Sequence, residues 1–284
     1  MNKISLLPES PVGFYYEQID KSIEQIIIDI DTLYAHAGAA RDSFEAKWDG
    51  FLRSDQAYQG VIWREGNKLS YLSQAVLPWH QYDKLPLLLV FGNPAPYSIQ
   101  QKTPFAFEGK GREHRLWRAL QGSGLIRFDD GLGRPAQPIN LARKEQLLAR
   151  AYASPYTVGF IQYFSMPTTP SAPPWTGING LFRLFGTAAM KKIECFELSR
   201  ISMQVSRFMA HGGILLAFQK DAFNGLRDQA SVPAYSYAHL AQGILAGRSR
   251  FGSDCPLIGA PPTRMAHSKD MKKVLTAVAA GTIL

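Results

Sequence analysis

Most residue patterns that announce a reaction are missing from this sequence. Gly131-Leu132-Gly133 lacks the third glycine of a dinucleotide-binding turn, and no Gly-Lys-Ser/Thr follows an apolar run. His36, His80, His114, His211, His239 and His267 show no metal-ligand spacing of the His-Glu-x-x-His kind. No serine sits in a Gly-x-Ser-x-Gly elbow. Cys195 and Cys255 are too few for a disulfide framework or a four-thiolate cluster. Nucleotide-cofactor, zinc-hydrolase and serine-hydrolase chemistry therefore find no support, and a protein with neither metal nor cofactor is expected. The segment that stands out is Leu87-Leu88-Leu89-Val90-Phe91-Gly92-Asn93-Pro94-Ala95-Pro96. Thr103-Pro104-Phe105, then His114-Arg115-Leu116-Trp117-Arg118-Ala119-Leu120 and Ser123-Gly124-Leu125, follow it. Taken alone, Gly92-Asn93-Pro94 reads as a turn that ends a strand and Phe105 as a core aromatic.

Four apolar runs are expected to position these residues. Leu85–Phe91, Val158–Phe164, Gly213–Phe218 and Pro256–Gly259 read as strands, and continuous apolarity marks strands covered on both faces of a parallel sheet. Pro94 and Pro96 cannot continue the first of them, having no N–H to donate. Helical patterns lie between the runs, at Glu113–Leu120, Leu141–Tyr152, Cys195–Met209, Asp221–Arg227 and Lys269–Ala280. Alternating strand and helix predicts an α/β fold, with helices on both faces of a short, mostly parallel four-stranded sheet in three α/β/α layers. The Pro/Thr/Ser-rich stretch Ser165–Trp175 falls at a strand's C-terminal end, where α/β sheets bind ligands.

An N-terminal extension of helices and a hairpin is expected over residues 1–80, packed on an α/β domain over 81–284. Between Tyr15 and Tyr34, Ile19, Ile23, Ile26, Ile27, Ile30 and Leu33 fall on one helical stripe that Gly38 would end. Arg41–Leu52 offers a second helix, and Val61–Tyr71 two strands around Gly66-Asn67.

The chain has 284 residues, 46% hydrophobic and 19% charged, a globular mixture. No apolar run approaches the roughly 18 residues that cross a bilayer, and the apolar stretch at the start is too short for a secretory signal. A reduced, cytoplasmic protein is expected. Lys and Arg number 31 against 23 Asp and Glu, a formal charge of +8 that suits polyanionic partners such as DNA without establishing one.

The segment Leu87–Leu125 resembles the first half of the uracil-DNA glycosylase superfamily, most closely its mismatch-specific and single-strand-selective branches. In these a buried strand ends in a Gly/Asn/Pro loop, a Pro-Phe follows, and a helix of apolar, aromatic and basic residues precedes a Gly-Leu. Phe160–Met166 looks like the family's second strand, and Glu194–Leu198 leading through Gln204-Val205 into Gly213–Phe223 looks like its third strand with the preceding helix. Pro261-Pro262-Thr263-Arg264 takes the place of its second catalytic loop, so the likeness covers about residues 80–282.

The resemblance implies a DNA base-excision activity without metal or cofactor. Asn93 would orient the attacking water, Phe105 would stack on a flipped base, and the N–H groups of Ala95 and Tyr97 beside Gly92 would face a base oxygen. Gln162 or Tyr163 stands near the family's base-reading Asn. Arg264 and Met265 lie where relatives insert a wedge into the duplex, and Thr263 beside them is expected to contact DNA. Arg115 and Lys269, with Lys110, Arg112, Arg118, Lys272 and Lys273, would contact phosphates. The family's second-loop His or Asn is replaced by Pro261, leaving His267 as the nearest substitute, and the family's iron–sulfur cysteines are missing. Asn93, Phe105 and Gln162 are expected in one cleft. Hydrolysis or recognition of a deaminated or damaged base is the leading function. A non-catalytic nucleobase or nucleic-acid binder, and a hydrolase of a free nucleoside-like ligand, stay open as alternatives.

Overall fold

A computed structural model describes residues 13–78, 83–106, 111–129, 136–170 and 172–282. Lys110, His80 and Gly131-Leu132-Gly133 lie outside the described residues. In chain order the elements are β1 (Phe14–Gln18), β2 (Ile23–Asp29), α1 (Ile30–Ala37), α2 (Asp42–Leu52), β3 (Ile62–Glu65), β4 (Lys68–Gln74) and β5 (Pro86–Phe91). Next come α3 (Pro96–Gln100), α4 (Arg115–Gly122), α5 (Ala136–Ala149), β6 (Thr157–Gln162), α6 (Gly177–Phe185) and α7 (Thr187–Phe208). The last are β7 (Ile214–Phe218), α8 (Lys220–Leu226), α9 (Tyr237–Gln242), β8 (Ala246–Ser249), β9 (Gly252–Ala260) and α10 (Lys269–Ala279).

The chain groups into two compact units, one of residues 1–75, 93–102 and 162–203, the other of 76–92, 103–161 and 204–284. This differs from a division near residue 80, because two segments expected in the α/β domain group with the N-terminal sheet.

The first unit is built on a four-stranded antiparallel sheet in the order β1-β2-β4-β3. The long N-terminal helix expected over Tyr15–Tyr34 is thus corrected: β1 and β2 take it up as far as Asp29, and only α1, from Ile30, is helical. In β2 the burial alternates, with Ile26 and Ile28 inside and Ile27 half-buried, the period of a strand. Isoleucine is stiff at χ1 and suits a pleated surface flanked by partners. The Asp20 carboxylate accepts from the N–H groups of Ser22 and Ile23 at 2.7 and 2.8 Å and closes the turn between the strands. The Asp29 side chain caps α1 through Thr32 N–H, and Gly38 ends it in the left-handed conformation, as the sequence suggests. The Gly66-Asn67 hairpin forms between β3 and β4 as expected.

The second unit carries a five-stranded mixed sheet, ordered β6-β5-β7-β9-β8. β5, β7 and β9 run parallel, and β8 joins β9 antiparallel. The expectation of four strands is corrected by β8, whose sequence Ala246-Gly247-Arg248-Ser249 has none of the apolarity that marks the others. β5, β6 and β7 are buried at every residue, which is why they read as unbroken apolar runs. On one face Leu87, Leu89, Phe91, Val158, Phe160, Leu216 and Phe218 form a core with Trp117 and Leu120 of α4 and Val274 of α10. Among the described residues no helix is long and apolar enough to cross a membrane.

Candidate functional site

Within the second unit the chain passes from β5 to β6 on one side and from β7 to β9 on the other. The order therefore reverses between β5 and β7, and in open α/β sheets ligands bind beyond the strand ends at such a point. Phe91 and Phe218, the last residues of these two strands, stack at 4.6 Å between ring centroids. Gly92 and Gln219 follow them. A side chain at Gly92 would start 1.9 Å from the Gln219 amide nitrogen, so a larger residue there would push that flexible carboxamide aside.

Gln219 itself is strained, with φ 89° and ψ 167°, a region essentially reserved for glycine that costs a side chain about 1–3 kcal/mol. It is held there by its N–H, which donates to Ala260 O at the end of β9 (3.1 Å), and by its carbonyl, which accepts from Phe223 N–H in α8 (3.1 Å).

Phe105 also has a positive φ, of 53°. Its carbonyl accepts from the Trp117 indole at 3.2 Å, and its half-buried ring meets Phe91 edge-on at 4.7 Å and His114 at 5.0 Å. The His114 ring caps α4, Nδ1 accepting from Leu116 N–H at 3.2 Å. Burial, assisted by the Arg118 charge, pushes its pKa down to about 4, so the ring is neutral at pH 7.

The loop after β9 carries Thr263, Arg264 and Met265 in a single 3-10 turn, and Arg115 of α4 donates to Arg264 O at 3.2 Å. α4 packs on this turn and on α10. Arg112, Arg118, Arg264, His267, Lys269, Lys272 and Lys273 are exposed, so His267 lies at the surface.

Asn93, Ala95, Tyr97, Gln162 and Tyr163 belong to the first unit, whereas Gly92, Phe105 and the second-loop residues belong to the other. Asn93 Nδ2 donates to Thr168 Oγ1 at 2.6 Å and, at 3.4 Å, to Met166 O. A carbonyl can only accept, so the amide is turned with its nitrogen toward Met166 and Thr168 and its Oδ1 away. Thr168 N–H returns a bond to Pro94 O at 3.1 Å. Ala95 caps α3 and Tyr97 lies in its first turn. Tyr163 is fully buried and donates its hydroxyl to Glu194 at 2.6 Å. Gln162 is buried, and its Oε1 has no hydrogen-bond partner among the described residues.

The Pro/Thr/Ser-rich segment that holds Met166 and Thr168 is tied down by a buried charge network. Arg200 donates to Glu197 at 2.7 Å, to Glu24 at 3.1 Å and to Gln162 O. The other Glu197 oxygen accepts from Ser165 N–H and Oγ–H at 2.6 and 2.5 Å. Burial opposes the Arg200 charge, and Glu197 and Glu24 more than offset it.

A polar notch of about 150 Å³ lies at the other end of the second unit's sheet, between Lys84, Arg150, Tyr152 and Thr157. Its cations are engaged, Arg150 with Asp83 at 3.3 Å and Lys84 with Ser154 O at 2.9 Å. Among the described residues no group of three His, Cys, Asp or Glu is placed to hold a metal. Sequence reasoning passed over Gln219, Thr168 and Arg200. For Gln219 no local signal exists, since glutamine has no preference for its backbone angles. No protein-family profile matches this chain, and no curated protein does.

Proposed function

We propose that this protein is a DNA base-excision glycosylase-like enzyme that hydrolyses the N-glycosidic bond of a deaminated or damaged base such as uracil. The observation that carries the reading is the half-buried Phe105 ring, braced on Phe91 where the strand order reverses. An aromatic face offers a flipped base about 1–3 kcal/mol of stacking. The exposed cations of α4, the 3-10 turn and α10 suit phosphate contacts in the same unit.

In the reaction, water attacks the sugar's anomeric carbon, the bond to the base breaks, and the base leaves with the electron pair and takes up a proton. Positive charge grows on the sugar and negative charge on the base. Within the first unit, Asn93 keeps Oδ1 as an acceptor while Nδ2 bonds Thr168, the orientation that holding a water requires. One observation favours the rival reading of a non-catalytic base binder. His114 is held neutral as a helix cap and His267 is exposed, so neither is built into a buried acid–base pair.

Single-turnover release from uracil- and hypoxanthine-containing oligonucleotides, with enzyme in excess, separates the two. Asn93→Ala is expected to slow release about 100-fold, the usual cost of one transition-state contact, with DNA affinity unchanged. Wild-type protein that binds DNA with a steep salt dependence yet releases no base would replace the enzyme reading with the binder.

A further inference from the structure

Gln219 combines features that folding alone does not explain. It is a non-glycine residue in glycine's conformational territory, at φ 89° and ψ 167°. It lies at the order reversal between β5 and β7, where sheets of this kind meet ligands. Its side chain rests against Gly92, its amide nitrogen standing 1.9 Å from where a Gly92 side chain would begin. The residue is half-buried, and its carboxamide makes no hydrogen bond to any described residue. A glycine at position 219 would relieve the strain and leave the backbone bonds to Ala260 and Phe223 intact. What it would lose is the carboxamide.

We infer that the Gln219 carboxamide is a ligand-recognition group, pairing in bidentate fashion with a planar heterocycle that carries a donor and an acceptor on adjacent atoms. This deepens the reading of the chain as a base-recognising protein and rests on it. A primary amide presents one acceptor and two donors in one plane, the complement of a nucleobase edge. Among the described residues no group hydrogen-bonds this amide and fixes its rotation, so it serves either polarity. Keto bases such as uracil and amino bases such as cytosine are accepted with affinities within a few-fold of each other. Discrimination between them has to come from other contacts.

The test uses the full chain, isotope-labelled, titrated with free uracil and separately with free cytosine. The probe is the Gln219 side-chain NH2 resonance, assigned by its loss in Gln219→Glu. The expected result is a saturable shift of that resonance with both bases. Gln219→Gly and Gln219→Glu should each bind the bases at least tenfold more weakly, and Gln219→Gly should melt at the same temperature or higher. A structural residue would give the opposite pattern, with lower melting temperature and unchanged binding. The inference is overturned if the NH2 resonance stays still under saturating base, or if Gln219→Gly binds as wild type does. Base release from oligonucleotides is scored separately. A shifted resonance without release would remove the glycosylase reading and leave this one standing, whereas release without a shift would do the reverse.

Discussion

Each of the two units buries an arginine completely, and the two solve the problem differently. In the first, Arg200 faces two carboxylates and a backbone carbonyl, and Glu197 passes the constraint to Ser165. In the second, Arg143 bonds Glu113 at 2.5 Å and lies over the rings of Trp117 and Phe128 at 5.6 and 5.5 Å. Glu113 Oε2 is left buried without a partner among the described residues. A buried charge is tolerated when partners replace much of its hydration, and hydrogen bonds and aromatic faces can share that task. The first arrangement joins strand, helix and loop through directional bonds. The second sets α5 against the rings of Trp117 and Phe128 through the same arginine.

Removing each arginine tests that contrast most strongly. Arg200→Ala strands two buried carboxylates and is expected to cost about 3–5 kcal/mol in urea unfolding. Arg143→Ala strands one and should cost about 2–3 kcal/mol, as for a charged hydrogen bond with ring contacts. Equal losses, or a larger one for Arg143, would break the comparison.

A smaller effect is expected where the Arg200 network reaches Asn93. Thr168→Val keeps the shape and removes the hydroxyl that accepts from Asn93, at a cost of about 1 kcal/mol in stability. If Asn93 orients water, base release should fall at least tenfold, with substrate affinity unaltered. A drop in stability with the rate unchanged would make the Thr168 bond purely structural.

The last prediction concerns pH and the second unit alone. His114 has a pKa near 4 in the folded protein against 6.5 for a free side chain, so the unfolded chain binds its proton more readily. Stability from the neutral ring is fully present above about pH 6.5 and is lost as pH falls toward 4. His114→Asn, which can still cap α4, should flatten unfolding free energy across that window. An identical pH slope in the variant would assign it to other groups.

Much of the second unit was legible in the sequence because its strands are buried on both faces. Leu85–Phe91 and Gly213–Phe218 needed no knowledge of neighbours to be read, and the proline-bearing loop after β5 marks its own end. The Gly66-Asn67 hairpin was legible for a related reason, since its turn residues prefer the required angles. The stripe from Ile19 to Leu33 was not, because isoleucines spaced to suit a helix also suit a strand once β1 and β4 flank them. β8 stayed hidden because an edge strand needs only a partner's backbone, and its side chains carry no apolar signature.

For the candidate site, the sequence by itself determined that a Gly-Asn-Pro turn follows a buried strand and that Phe105 and a basic helix come after it. Tertiary structure decided that Gln219 adopts glycine's backbone angles, because its N–H is held by Ala260 O at the end of β9, far along the chain. It also decided which way the Asn93 amide turns, since that depends on a carbonyl and a hydroxyl contributed by Met166 and Thr168. Local preferences fix what a segment can do unaided. A strained angle or an oriented amide persists only when distant groups over-determine it, and those groups are brought near by the fold.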